Sequence, residues 1–477
     1  MGDDGAAPAD PAPRARVYTQ DTAALRHALT GLAGASIEWY DFFLYATASA
    51  LVFPTIFFPA NLPPSVALLA SFSTFAVGFL MRPVGAVFFG HLGDRRGRKV
   101  AFAVALIMMG AATALIGLLP SYHIAGIFSP LALVLLRLAQ GVAVGGQWGG
   151  AILLATENAS NSKRGLYGSI AQAGVPVGVL LANLSFVAAG GAMSNGAFMA
   201  YGWRIPFLFS LALVGLGIFV QLRIDDTAAF RQLGQSIPPT NDHPEGKAAF
   251  DAPVCATKSM RGGRSPVLEA LRLYPKLILL AGGAYVSTIL AFYILITYVV
   301  SYGTSAAGLH LARSTMLTAV MMGSLAHVPV IFLAGMWSDR YGRRRIFMTG
   351  VAMTGVWAFI LFPLIDTRSF GCIALAIGVG MFFLSLTAGP MAAMFAEQFI
   401  TRVRYSAVSL AYQLGAIVGG GLAPVIATGL YARFHSNTSV SLYIAGACVV
   451  SLVCASKLKE AHETRRFTSS DIDEPPR

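Results

Sequence analysis

The amino-acid sequence predicts an all-α, polytopic membrane protein of twelve transmembrane helices in two pseudo-symmetric six-helix bundles. Three observations carry this expectation. First, 12% of the 477 residues are charged against 56% hydrophobic, with a mean hydropathy of +0.65, whereas soluble domains carry roughly 25% charged residues. Second, twelve apolar stretches approach the ~20 residues needed to cross a hydrocarbon core of ~30 Å. Third, the charged string "GHLGDRRGRKV" (Gly90–Val100) returns as "GMWSDRYGRRRI" (Gly335–Ile346), with Asp94 and Asp339 245 residues apart. Lipid leaves the backbone of an open strand unsatisfied, so every span is expected to be helical.

Residues 1–28 form a polar, Pro/Ala-rich tail, and the apolar run after it is too long for the core of a cleavable signal peptide. The N-terminal bundle is placed at 29–223. Its first span, 29–53, carries Glu38 and Asp41. Gly34, Glu38, Asp41 and Tyr45 follow steps of four, three and four and share one helical stripe. Two carboxylates on one buried stripe repel each other, so at least one is expected to take up and release a proton. The second span, 66–90, holds Arg82 eight residues before Gly90, about 12 Å along the helix, where it is a candidate counter-charge to Asp41 or Glu38. The third span is 100–120. In the fourth, 128–157, Arg137, Gln140, Val144 and Gln147 line one stripe, with a guanidinium and two amides able to face a central cavity. An Arg there suits a substrate carboxylate through paired hydrogen bonds; the alternative is a structural pair with a first-span acid. Gly141, Gly145, Gly146, Gly149 and Gly150 are read as close helix packing. Spans five and six follow at 165–190 and 204–223.

Residues 224–273, including "IPPTNDHPEGKAAFDAP", are polar and rich in Pro, Gly and Asp, and read as a cytoplasmic linker. The C-terminal bundle is placed at 274–456, with spans at 274–302, 315–337, 346–366, 370–396, 405–432 and 438–456. Polar positions within its apolar runs are Tyr293 and Tyr298 in span seven, His327 in span eight, and Tyr412 and Gln413 in span eleven. Tyr412 and Gln413 are the best cavity candidates, while His327 is read as satisfying a neighbouring carbonyl. The aromatic string "FFLYATASALVFPTIFFP" reads as packing and an interfacial belt. Residues 457–477 form a charged tail.

The basic residues fix an orientation. Of 34 Lys and Arg, placing the N-terminus inside puts 28 in inside segments and four outside (Arg204, Arg313, Arg368 and Arg433), with Arg82 and Arg137 inside spans. This bias predicts both termini cytoplasmic in a bacterial inner membrane. The net charge of +12 is then topology and affinity for anionic lipid headgroups rather than a nucleic-acid footprint.

Each half repeats two landmarks in order: the charged string after its second span, and then Glu157 with Arg164 and Gln172, matched by Glu397 with Arg404 and Gln413. The chain reads as a duplicated six-helix unit with parallel halves. Physically, Asp94 can accept hydrogen bonds from the N-terminus of a helix, where the dipole favours an anion, with span eleven as the expected partner. Arg95 or Arg98 can pair with Glu157, and Arg340 or Arg343 with Glu397. Gly90 and Gly97, like Gly335 and Gly342 in the repeat, allow close packing and a sharp turn. Such contacts bias a two-state element rather than lock it.

The pattern G-x-x-x-D-R-x-G-R-[KR], present after spans two and eight, resembles the major facilitator superfamily. The strings "IEWYDFFLYATASALVFPTIFFP", "FAVGFLMRPVGAVFFGHLGDRRGRK", "LLRLAQGVAVGGQWGGAILLATENA" and "GWRIPFLFS" resemble its metabolite:proton symporter family, over roughly residues 30–460. That family includes shikimate, α-ketoglutarate and proline/betaine permeases. The resemblance implies proton-coupled symport of a small polar metabolite by alternating access, with Asp41 and Glu38 as proton groups. Arg137, Arg82, Tyr45, Gln140, Gln147, Tyr412 and Gln413 would contact substrate. It also implies a monomer among membrane lipids with no cofactor beyond the coupling proton. The family string commonly has Glu where this chain has Gln147, so the proton step is expected to fall to the first-span acids. Zwitterion or osmolyte transport, or export on the same fold, is the alternative.

A membrane-embedded enzyme finds no support in motifs. HExxH and GxSxG are absent, and the four cysteines show no CxxC pairing or His neighbours that would give a disulfide framework or zinc site. A sensor built on the same fold would be expected to carry a signalling domain larger than either tail.

Overall fold

The computed structural model describes residues 32, 34–96, 98–145, 164–223, 266–305, 308–399 and 401–460, which contain no strand. A helix lies in each of the twelve predicted stretches. In the first half these are α1 (34–51), α2 (Pro64–Leu80, continuing as Arg82–Arg96), α3 (Arg98–Leu118), α4 (Phe128–Gly145), α5 (Arg164–Gln172, continuing as Gly174–Gly191) and α6 (Arg204–Arg223). In the second half they are α7 (Pro275–Tyr293, continuing to Thr304), α8 (Arg313–Tyr341), α9 (Arg343–Asp366), α10 (Phe370–Ala396), α11 (Thr401–Gly415, continuing to Phe434) and α12 (Thr438–Ser456). Among the described residues nine helices are long and apolar enough to span a membrane unaided. Asn195–Gly202 and Arg204–Gly217, bent by 49° from each other, make a tenth when taken together as one span. The apolar part of α3 is shorter (Ala103–Leu118), and α1 carries Glu38 and Asp41 in mid-helix.

The leading helix of each half lies deepest. Residues 36–53 and 287–303 are buried without interruption, their apolar faces packed all round and their few polar groups, Glu38 and Asp41 among them, enclosed. They meet through Phe43 against Phe292 (ring centroids 5.7 Å apart) and Phe42 against Tyr293 (6.0 Å). Further pairs join the halves among the described residues, α5 with α10 among them. α2 meets α11 where Phe79 packs on Gly420 and Gly421, and α5 meets α8 where Gly165 faces Gly335. A Cβ on Gly335 would stand 2.7 Å from the Gly165 carbonyl oxygen, so only glycine permits this approach.

Four features differ from, or add to, the sequence reading. The second charged string is mostly helix: Asp339 and Arg340 sit in the last turn of α8, and the chain reverses at Gly342 alone, with φ of 101°. That angle strains any residue with a side chain. The end of the predicted linker, Pro266–Leu273, forms a short helix, with Pro at its start, Glu269 in the first turn and Arg272 in the last complementing its dipole. π-helical turns interrupt α7 at Ile294–Tyr298 and α11 at Ala416–Gly421. Finally, the tail does not leave the bundle at 457. Glu460 pairs with Arg344 (3.5 Å), and the Lys459 carbonyl accepts from Gln398 Nε2 (2.9 Å).

The aromatic string of α1 is core. Phe42, Phe43, Tyr45, Phe53 and Phe57 are all buried, and Phe53 and Phe57 pack edge-on to Trp203 (6.0 and 5.7 Å).

Candidate functional site

A polar cluster lies in this aromatic interior. Arg137 on α4 and Arg82 on α2 have no solvent exposure at all. Charges buried at membrane depth are expensive unless the protein supplies partners or a cavity. Local packing explains how the two are held. Gly141 and Gly145 lie so close to the backbone carbonyls of Gly78 and Arg82 that no side chain fits. α2 and α4 therefore touch backbone to backbone, and the two guanidiniums emerge beside the seam.

Arg137 is gripped on several sides. Its Nη1 donates to Gln140 Oε1 (3.0 Å) and its Nε to the Phe75 carbonyl (3.4 Å). The guanidinium carbon lies 4.2 Å from the Tyr45 ring centroid, 4.5 Å from Phe42 and 4.8 Å from Phe75. Cations over aromatic faces are attracted by roughly 0.5–2 kcal/mol each. Tyr45 is oriented by its hydroxyl, which donates to Thr74 Oγ1 (2.7 Å). The Nη2 of Arg137 has no hydrogen-bond partner among the described residues.

Arg82 lies over Phe79 (4.1 Å) and Phe42 (4.6 Å); none of its three guanidinium nitrogens makes an aligned hydrogen bond among the described residues, while the hydroxyls of Tyr293 and Tyr412 lie in hydrogen-bonding reach. It is within electrostatic range of Glu38 on α1 and of Tyr293 and Tyr412 from the second half. The two guanidiniums also sense each other. Tyr412 stacks on Tyr285 at 4.8 Å. The cluster thus draws charge from the first half and phenols from the second.

The two acids of α1 diverge in surroundings. Glu38 faces the Arg82 side. Asp41, 1% exposed, lies within range of the hydroxyls of Thr113 on α3 and Ser210 on α6, yet neither carboxylate oxygen has an aligned donor among the described residues. Of the two counter-charge options for Arg82, the geometry selects Glu38. Arg137 bonds to an amide and a carbonyl rather than to either acid.

Gln413, next to Tyr412 in the chain, is buried, and its Oε1 lacks a partner among the described residues. Other predicted positions bond elsewhere. Tyr298 donates to Asn437 Oδ1 (2.8 Å), tying α7 to α12. His327 sits by the Met381 carbonyl (2.7 Å) and Ser385 Oγ (2.8 Å), bridging α8 and α10. Gln147 and Glu157 lie outside the described residues.

At one end of the bundle, Asp339 accepts hydrogen bonds from the backbone N–H groups of Gly165 (2.9 Å) and Leu166 (3.2 Å). These are among the first free donors of α5, where the helix dipole favours an anion. Arg343 bridges Glu397 (2.9 Å) and Asp339 (3.4 Å). Arg340 instead lies over the Tyr341 ring (5.4 Å). A clasp of backbone donors and charges therefore ties the second half to the first. The backbones of Gly90, Asp94, Arg95 and Arg98 are helical; the side chains of Asp94, Arg95 and Arg98, and Gly97 itself, lie outside the described residues.

Sequence reasoning passed over Phe42, Phe75, Phe79, Thr113 and Tyr285. Aromatics in an apolar run carry no signal of a cationic neighbour. Thr113 was findable only as a lone hydroxyl in an otherwise apolar span.

Residues 28–465 match the family described as sugar (and other) transporter. Over 451 residues the chain is 36% identical to the inner membrane metabolite transport protein YhjE of Escherichia coli (strain K12), covering 94% of this chain and 96% of that protein. It is 37% identical over 441 residues to the shikimate transporter of the same organism, covering 92% and 95%. To the proline/betaine transporter of that organism it is 32% identical over 444 residues, covering 92% and 84%. The partially occluded, inward-open xylose transporter XylE from E. coli shares the fold, with a TM-score of 0.68 at 16% identity over 92% of this chain and 98% of that one.

Proposed function

The chain belongs to the sugar (and other) transporter family, and from that premise we propose that it is a secondary active transporter carrying a small carboxylate-bearing metabolite together with a proton. One observation carries the substrate class. Two fully buried guanidiniums sense each other, Nη2 of Arg137 has no hydrogen-bond partner among the described residues, no Arg82 nitrogen makes an aligned hydrogen bond there although the Tyr293 and Tyr412 hydroxyls lie in reach, and Glu38 is in range of Arg82. A carboxylate bound there supplies paired acceptors to the planar donors. The relatives named for shikimate and for proline and betaine fit this reading, since all three of those compounds carry a carboxylate.

The α1 acids take the proton. Asp41 sits among neutral hydroxyls, and Glu38 within range of Arg82. Gln147 cannot ionise, which leaves the step to them. The Asp339–α5 contact, with Arg343 and Glu397, acts as a clasp that closes one end of the pathway. By the pseudo-symmetry of the halves, Asp94 does the same at α11. This end and both termini face the cytoplasm, with the protein in a bacterial inner membrane, a reading the basic-residue bias supports. The chain acts as a carrier rather than an enzyme and works as a monomer without a cofactor.

A second reading rests on the stacked Tyr285–Tyr412 pair beside Arg82. Aromatic faces suit a quaternary ammonium, so a betaine-like zwitterion would engage both features. Uptake of labelled shikimate, a dicarboxylate, proline and betaine into proteoliposomes, at two pH values, separates the readings. Accumulation should rise with an inward proton gradient and collapse with a protonophore. Uptake indifferent to the gradient would refute symport.

A further inference from the structure

Asp41 and Arg137 do not touch, yet a chain of polar groups, hydrogen-bonded from Arg137 to Thr113 and open at its Asp41 end, lies between them. Arg137 Nη1 donates to Gln140 Oε1 (3.0 Å), and Gln140 Nε2 donates to Thr113 Oγ1 (2.9 Å). Thr113 Oγ1 in turn lies 2.9 Å from the Met109 carbonyl, one helical turn back, and within range of the Asp41 carboxylate. Asp41, Thr113, Arg137 and Gln140 are all buried, the last three with no exposure at all.

The hydrogen-bond inventory constrains this path. The Gln140 amide has its orientation set from both ends: its oxygen must face the guanidinium, so its NH2 must face Thr113. Thr113 accepts from that NH2 and keeps one O–H to donate. It has two candidate acceptors, the Met109 carbonyl and Asp41. In this structure the hydroxyl bonds to Met109, and the Asp41 oxygens have no aligned donor among the described residues. When Asp41 is ionised, its charge is the stronger acceptor and draws the hydroxyl over. When Asp41 is protonated, the hydroxyl returns to the carbonyl. Among the described residues, the titratable groups within range of Asp41 are Glu38 and Tyr40 of its own helix, and α6 adds the Ser210 hydroxyl.

We propose that Thr113 and Gln140 are positioning residues that link the protonation of Asp41 to the set of the Arg137 guanidinium. This rests on the reading of Asp41 as proton group and Arg137 as substrate group. No proton passes along the path. The Thr113 hydroxyl rotates about its C–O bond, and its changed polarity strengthens or weakens the Gln140 hold on Arg137, since bonds in a low-dielectric chain polarise one another.

The test uses the full chain in proteoliposomes with Thr113→Val, which keeps the shape and removes the hydroxyl, and Thr113→Ser, which restores it. Two readouts are taken. One is the infrared carbonyl stretch of protonated Asp41 in substrate-free protein, identified by its loss in Asp41→Asn. The other is proton-driven accumulation of labelled shikimate relative to its gradient-free exchange. Thr113→Val is expected to shift the Asp41 band and to lower accumulation relative to exchange by about fivefold or more, the low end of measured site–site couplings. Thr113→Ser should restore both. An unmoved band, or accumulation and exchange falling together, overturns the proposal. Gln140→Met gives the same reading of the accumulation-to-exchange ratio should Thr113→Val fail to fold. If the wild type neither exchanges nor accumulates shikimate while the band still shifts, the link between Thr113 and Asp41 stands and the transport reading is what fails for that substrate.

Discussion

Arg137 shows how far a single residue can be read. Its stripe with Gln140 was visible in the sequence, and the two do bond. Its aromatic setting was not, because Phe42, Phe75 and Tyr45 come from two other helices. Replacing it tests the substrate role. Arg137→Lys keeps the charge but loses the planar donor fork. It should raise the apparent KM at least about tenfold, about 1.4 kcal/mol, and a KM within twofold of wild type, read by uptake kinetics, would remove Arg137 from substrate contact. Asp41→Asn should abolish accumulation against a gradient while leaving exchange measurable, because the amide fills the same space but cannot carry the proton. Full accumulation by that variant, scored with and without protonophore, would take Asp41 out of the mechanism.

At the level of elements, glycine contacts and helix ends decide which helices can approach. α8 meets α5 only because Gly335 and Gly165 lack side chains, and the Asp339 carboxylate then reaches the first donors of α5. Hydrogen bonds to a charged group contribute about 1.5–3 kcal/mol each. Asp339→Asn weakens both and should slow turnover several-fold while substrate affinity holds; a selective loss of affinity in binding assays would contradict the clasp. Gly335→Val should be harsher, since its Cβ would meet the Gly165 carbonyl and Ser169. The closed end should then fail to form, read as faster labelling of a cysteine placed on α5. The π turns of α7 and α11 were not legible beforehand, because a one-residue change in hydrogen-bond spacing leaves the apolar pattern almost unaltered.

For the whole molecule, the described residues of the two halves meet where α1 faces α7, where α2 faces α11, and where α5 faces α8 and α10. Alternating access requires at least one seam to open in each state. The α2–α11 seam, where Phe79 rests on Gly420 and Gly421, is a direct place to test this. A disulfide between Phe79→Cys and Gly421→Cys, whose Cβ positions lie side by side, should stop net uptake, and reduction should restore it. Transport that continues with the disulfide intact would show that these helices need not part.

The sequence by itself determined the membrane class, the twelve helices and the duplicated halves, because a hydrocarbon solvent permits little except long apolar helices and the repeated charged string marks the same turn twice. It also named both buried arginines and both α1 acids, since an ionisable residue within an apolar run stands out wherever it folds. Only the tertiary structure decided which of these face one another. Arg82 lies on the Glu38 side, Asp41 beside hydroxyls from α3 and α6, Arg137 against Gln140 and three aromatic rings, and Arg343 rather than Arg340 on Glu397. Such pairings depend on the rotation and spacing of helices distant in the chain. Those are set by close packing at glycines and aromatics, which the local pattern of polar and apolar residues does not encode.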